Sequence, residues 1–100
     1  MTFFADEVLT IADGETKTLT RATVDNDPGS ARAFRAVLTA YSAPVAYRFG
    51  TTAPNTTTKA HHLLAANESV TIDGYNNLVN LQVKLASGTT TAQLFVSYAS

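Results

Sequence analysis

The chain contains no cysteine, no tryptophan and a single methionine. Without thiols it can have no disulfide framework, no thiolate metal site and no cysteine nucleophile, so packing or assembly must hold the fold together. Charge is scarce as well, at 15% of 100 residues, where globular chains usually carry about a quarter. The formal net charge is −1, and the seven cations Lys17, Arg21, Arg32, Arg35, Arg48, Lys59 and Lys84 are scattered. No run of them could neutralise adjacent phosphates, so nucleic acid is not an expected partner. No apolar stretch approaches the roughly 18 residues of a membrane span, and no cationic head leads into an apolar core at the start. The expectation is a soluble protein with neither a membrane partner nor an export signal. Sparse charge also implies a surface that a neighbour could cover, because the centres of protein interfaces are depleted in charge.

What is present points to strands. Hydrophobic residues make up 45% of the chain, enough for one core, and residues 1–100 read as a single domain. Threonine and alanine dominate, and β-branched residues favour pleated, half-buried surfaces. Turn dipeptides recur at Asp13-Gly14, Asp27-Pro28-Gly29, Phe49-Gly50, Asp73-Gly74 and Ser87-Gly88. Short segments cut by such turns predict an all-β, antiparallel sandwich of about seven or eight strands, jelly-roll-like or immunoglobulin-like.

The C-terminal third is the clearest. Val79, Leu81, Val83 and Leu85 alternate with polar residues, and after Ser87-Gly88 so do Ala92, Leu94, Val96 and Tyr98. This period of two predicts a hairpin of about Leu78–Ala86 and Thr91–Tyr98 with Leu81, Val83, Leu94, Val96 and Tyr98 inward. Val45, Tyr47 and Phe49 alternate likewise, as do Val70 and Ile72. Glu7–Ile11 and Thr16–Val24 flank Asp13-Gly14 and predict a first hairpin. Residues 31–41 fit two patterns: a helix capped by Ser30 with Phe34, Val37, Leu38 and Tyr41 on one face, or a strand with Phe34, Ala36, Leu38 and Ala40 on one face. The surrounding strands favour the second. Gly50–Lys59 is polar, with no burial pattern, and predicts a long exposed loop.

Chemistry-bearing residues do not assemble into a motif. His61 and His62 are adjacent, and neighbours in a strand point to opposite faces, so a shared metal is not expected. Asp25-Asn26-Asp27 resembles the start of a calcium loop, but Pro28-Gly29 follows and the closing glutamate is missing. Neither a nucleophile elbow nor a phosphate-cradling glycine loop occurs. No catalytic residue, metal or cofactor is expected, and the chain reads as a binding protein rather than an enzyme. Phe3 and Phe4 are the candidate interface residues. They place two bulky rings near the start of the chain, where residues 1–6 form either an anchoring arm or a cover over the end of the core.

From Pro44 onward the sequence resembles a known group. The strand Val45-Ala46-Tyr47-Arg48-Phe49-Gly50 leads into a Thr/Pro-rich loop around Pro54, the stretch Leu63-Leu64 to Gly74 follows, and the chain closes on Phe95-Val96-Ser97-Tyr98. These features, over a little more than half the chain, resemble small β-sandwich virion proteins of tailed bacteriophages. It departs from that pattern where Lys59-Ala60 and Asn67 stand in place of glycines. The resemblance implies a capsid decoration or cement protein that bridges major capsid subunits in the virion after synthesis in the host cytoplasm. It also implies a homo-oligomer, a trimer in particular. The alternative it implies is a tail or head-fibre module binding a receptor or carbohydrate, for which the loop 51–59 and Tyr75-Asn76-Asn77 would supply hydroxyls, amides and a ring.

Overall fold

The alternation read from the sequence appears as strands in a computed structural model, which describes residues 2–26, 32–57, 59–86 and 91–100. In chain order the elements are β1 (Phe3–Ile11), β2 (Thr16–Thr18), α1 (Arg21–Asp25), β3 (Arg35–Tyr41), β4 (Val45–Phe49), β5 (His62–Leu64), β6 (Ser69–Asp73), α2 (Tyr75–Val79), β7 (Leu81–Leu85) and β8 (Ala92–Ala99). The strands form two four-stranded antiparallel sheets, ordered β1-β8-β3-β6 (sheet A) and β2-β7-β4-β5 (sheet B).

That order resolves the expected sandwich into one of its two forms. Strand β1 pairs with β8, β2 with β7, β3 with β6 and β4 with β5. The chain behaves as a long hairpin rolled into two sheets, which is the jelly roll. An immunoglobulin sandwich would instead place its first, second, fourth and fifth strands in one sheet.

The two hairpins predicted from sequence do not exist as pairs. Strand β1 lies in sheet A and β2 in sheet B, so Asp13-Gly14 turns the chain from one sheet to the other. The same holds for β7 and β8, whose connection through Ser87-Gly88 lies outside the described residues. Alternation reports which face a residue takes, but not which strand lies beside it. The stretch Thr16–Val24 also divides, since β2 ends at Thr18 and a single helical turn, α1, follows. Similarly Leu78 and Val79 close α2 instead of opening β7. Gly74 precedes that helical turn at φ 97, a left-handed conformation open to glycine at little cost.

Residues 35–41 are strand, with Ala36, Leu38 and Ala40 buried. Phe34 does not join them, because it precedes β3 and is exposed. The loop after β4 is less open than its composition implies. Pro54 is buried, and Asn55 and Ala60 pair across it as an isolated bridge.

The core lies between the sheets. Sheet A contributes Ile11, Ala36, Leu38, Ala40, Ile72, Ala92, Leu94, Val96 and Tyr98, and sheet B contributes Val45, Leu64, Leu81, Val83 and Leu85. Leu81, Val83, Leu94, Val96 and Tyr98 are all buried, as their phase predicts. Val24 of α1 and Leu78 of α2 join this cluster.

Candidate protein interface

The outer face of sheet A follows from the strand registers. Ile11, Leu94 and Ala40 point inward, so their neighbours along each strand must point out. Across the sheet this aligns Val8 with Phe95, Thr39 and Ser69, and aligns Asp6 with Ser97, Val37 and Thr71. A further row carries Thr10, Gln93 and Tyr41. Val8 is 58% exposed, Tyr41 47% and Phe3 53%, while Val37 and Phe95 are half-buried. The result is a surface mainly of apolar and hydroxyl side chains, with the Asp6 carboxylate on its edge strand.

Its polar groups are largely satisfied within the sheet. Thr39 and Ser69 share a hydrogen bond of 2.6 Å, the Ser42 hydroxyl donates to Gln93 Oε1 at 3.3 Å, and Arg35 Nε donates to Asp73 Oδ1 in an ion pair. Covering them would therefore cost less desolvation than covering free charges. Sheet B presents a different exterior, since Arg48, Gln82 and Lys84 align with one another and with Ala46, Thr16 and Thr18.

Phe3 and Phe4 part company. The β1–β8 register shifts between Phe3 and Ala5, so Phe3 lies opposite Ala99 and Ala5 opposite Tyr98. The bulge carries one extra residue, Phe4. Its ring stacks on Tyr98 at a centroid distance of 6.4 Å and 29° between planes, and packs against the core. Phe3 stays exposed. Both residues belong to β1, in which Phe3, Ala5 and Asp6 are paired to β8 and Phe4 is the unpaired residue of the bulge.

Tyr98 also anchors the edge of the sandwich. Its hydroxyl donates to Glu7 Oε2, and the same carboxylate accepts from Thr20 Oγ1 at 2.6 Å and Thr20 N–H at 3.3 Å. Glu7 occupies an inward phase of edge strand β1 and would be costly there without such donors. Burial, reinforced by the Glu7 carboxylate, holds the Tyr98 phenol well above its ordinary range.

A second polar cluster joins α1 to α2. Arg21 Nε donates to both Asp25 carboxylate oxygens at 3.2 Å, Arg21 Nη2 donates to the Tyr75 hydroxyl at 2.9 Å, and that hydroxyl donates to Asp25 Oδ1 at 2.5 Å. The Tyr75 hydroxyl lowers the Asp25 carboxyl below its usual value, with Arg21 adding to the effect, and Asp25 in turn raises Arg21. Arg32 and Arg21 lie over the Tyr75 ring at 4.7 and 5.7 Å. A sugar stacking on Tyr75 would have to displace a guanidinium, and the Asn77 amide is engaged locally with Asp73 O.

The histidines diverge. His62 stacks on Tyr47 at 5.2 Å, with Phe49 edge-on at 6.1 Å, while His61 Nδ1 lies 3.4 Å from Asn55 O. Asp25 belongs to α1, Asn26 ends it in a left-handed conformation at φ 52, and Asp27 lies outside the described residues. Among the described residues, no group of three or more His, Asp or Glu side chains is placed to hold a metal, and no helix is long and apolar enough to cross a membrane.

Val8, Val37 and Phe95 were not singled out by the sequence. The signal was present: each is apolar in the phase that its strand otherwise gives to polar side chains. No family model, no curated protein and no solved structure matches the chain.

Proposed function

We propose that this chain is a non-enzymatic structural protein of a tailed-phage particle, a decoration or cement subunit that bridges major capsid subunits. One observation carries the reading: the outer face of sheet A combines Val8, Val37, Phe95 and Tyr41 with hydroxyl groups, and its Arg35–Asp73 charges neutralise each other. The inner strands of such a face can be covered by another protein without stranding a buried charge, because the Asp6 carboxylate lies on the edge strand β1. The sequence resemblance to small phage virion proteins supports the choice of partner. The pairing of the first strand with the last supports the mechanical role, because it ties both ends of the fold into one sheet. The reading places the protein in the virion, as a homo-oligomer docked on the capsid, with Phe3 at the rim of the docking face. Catalysis and cofactors have no part in it.

The test is to purify the particle, count copies against the major capsid protein, and rebind Val37→Lys and Phe95→Lys variants to particles stripped of this protein. A copy number comparable to the capsid subunits, and loss of rebinding by variants that remain folded, are expected. A handful of copies, or full rebinding by both variants, would refute the proposal.

A further inference from the structure

Strand β1 is an edge of sheet A and, at nine residues, is the longest strand among the described residues. The direction of its main-chain groups can be fixed. Thr2 N–H donates to Ser100 O at 3.2 Å and Ser100 N–H to Thr2 O at 2.9 Å, whereas Phe34 N–H donates to Ala99 O at 2.8 Å. Ser100 therefore faces β1 and Ala99 faces β3. Alternation then turns Tyr98, Val96, Leu94 and Ala92 towards β1, so their partners Ala5, Glu7, Leu9 and Ile11 bond to β8. The N–H and C=O groups of Asp6, Val8 and Thr10 point off the edge.

An edge of this kind is a template for another strand. We propose that it is completed by a second copy of this chain, β1 against β1 in antiparallel register, with Val8 on the twofold axis. In that register Val8 exchanges both main-chain bonds with its equivalent, and Asp6 does so with Thr10 of the other copy. All three outward-pointing residues are used, and the two sheets A become one continuous sheet. Val8, 58% exposed in the single chain, meets its own copy, and the Asp6 carboxylate lies beside a Thr10 hydroxyl.

Neighbouring registers serve less well. Moving the axis to Glu7 sets two carboxylates opposite each other, which is unfavourable across a strand pair. Moving it to Leu9 sets Asp6 against Ala12, whose N–H is already donated to Glu15 Oε1 at 2.9 Å. The other edge of sheet A, β6, has five residues, and its outward side chains Ser69, Thr71 and Asp73 are polar. The inward charge of Glu7, a feature that often blocks edge pairing, is held by Tyr98 and Thr20 and faces Leu9 of the second copy. A twofold axis makes a dimer, not the trimer implied by the sequence resemblance, and this inference does not depend on the proposed capsid role.

Sedimentation equilibrium on the purified chain tests it, with Val8→Lys and Val8→Glu made separately. The wild type should be a dimer. Each variant should raise the self-dissociation constant by about tenfold or more, through like charges at the axis, while its circular dichroism spectrum stays that of the folded chain. Mixing the two variants should restore a 1:1 dimer. A monomeric or trimeric wild type, a dimer that survives in either variant alone, or a mixture that stays monomeric would each overturn the proposal. A further check is Thr71→Lys on the β6 edge, which should leave the dimer intact; dissociation by that change would overturn it too.

Discussion

Adjacent residues of β8 provide the sharpest test of the fold, since Leu94 and Phe95 differ by one position and face opposite sides of sheet A. Leu94 is 0% exposed and sits between Leu9 and Ala40 on the neighbouring strands, with Ala92 and Val96 two residues away along its own. Truncation of a buried leucine to alanine costs about 2–5 kcal/mol, the larger values arising where the surroundings cannot close over the cavity. Ala40 and Ala92 have no side chain to swing into the void, which places Leu94→Ala at about 3–5 kcal/mol. Phe95 is larger, yet it is half-buried on the outer face, opposite Val8 and Thr39. Losing such cross-strand contacts costs about 0.2–1 kcal/mol per pair. Urea unfolding of both variants, with midpoint and slope fitted separately, measures the contrast. If Leu94→Ala lost less than about 0.5 kcal/mol, the range of ordinary surface substitutions, or if Phe95→Ala lost as much as Leu94→Ala, the assigned facing of β8 would be wrong.

Tyr98→Phe removes the hydroxyl donor to Glu7 and should cost about 1–2 kcal/mol at neutral pH, towards the low end because Thr20 still serves the carboxylate. The phenol pKa is raised on folding, so its stabilisation is complete below the unfolded value of 10.0 and is lost as pH rises beyond it. Absorbance-detected alkaline titration should show one phenol ionising only with unfolding, and Tyr98→Phe should remove that step; its persistence would assign the step elsewhere. At the opposite limit, Asp25 is lowered below 3.8, so its contribution is present above that pH and lost as pH falls through the folded value. Tyr75→Phe removes the principal cause and should move the Asp25 carboxyl upward in a carbon-detected NMR titration; no movement would mean that Arg21 alone sets it.

Facing was legible in the sequence and pairing was not. A period of two identifies Leu81, Val83, Leu94 and Val96 as inward whichever strand lies alongside, because burial acts on each residue separately. Pairing in a jelly roll joins residues far apart in the chain, as in Ile11 with Ala92 or Thr16 with Lys84, and no local pattern encodes it. Turn signals at Asp13-Gly14 and Ser87-Gly88 marked reversals without distinguishing a hairpin from a passage between sheets. Composition likewise identified a low-charge surface without its location. The apolar members of that surface were visible only as exceptions to the alternation, and an exception has meaning only once the face it occupies is known. The cluster of Arg21, Asp25, Tyr75 and Arg32 was hidden for the same reason, because Tyr75 lies fifty residues from Asp25 along the chain.

The two aromatic residues at the head of β1 show how one inserted residue separates stability from recognition. Without the bulge, strict alternation from Ala5, which faces Tyr98, would put Phe4 outward and Phe3 inward. The extra residue reverses this, so the ring of Phe4 covers Tyr98 and Phe3 is left 53% exposed beside Ala99. Full burial of a phenylalanine is worth about 1.5–3 kcal/mol and an aromatic pair adds about 0.5–1.5. Phe4→Ala, at a half-buried site, should therefore destabilise the fold by about 1–2 kcal/mol. Phe3→Ala should alter stability by less than about 0.5 kcal/mol and weaken attachment to the particle instead. Thermal unfolding and particle rebinding, measured on both variants, separate the two effects. Equal destabilisation by the two changes would show that the bulge does not sort the rings in solution, and undiminished rebinding by Phe3→Ala would remove Phe3 from the docking surface while leaving the face built on Val37 and Phe95 to stand on its own test.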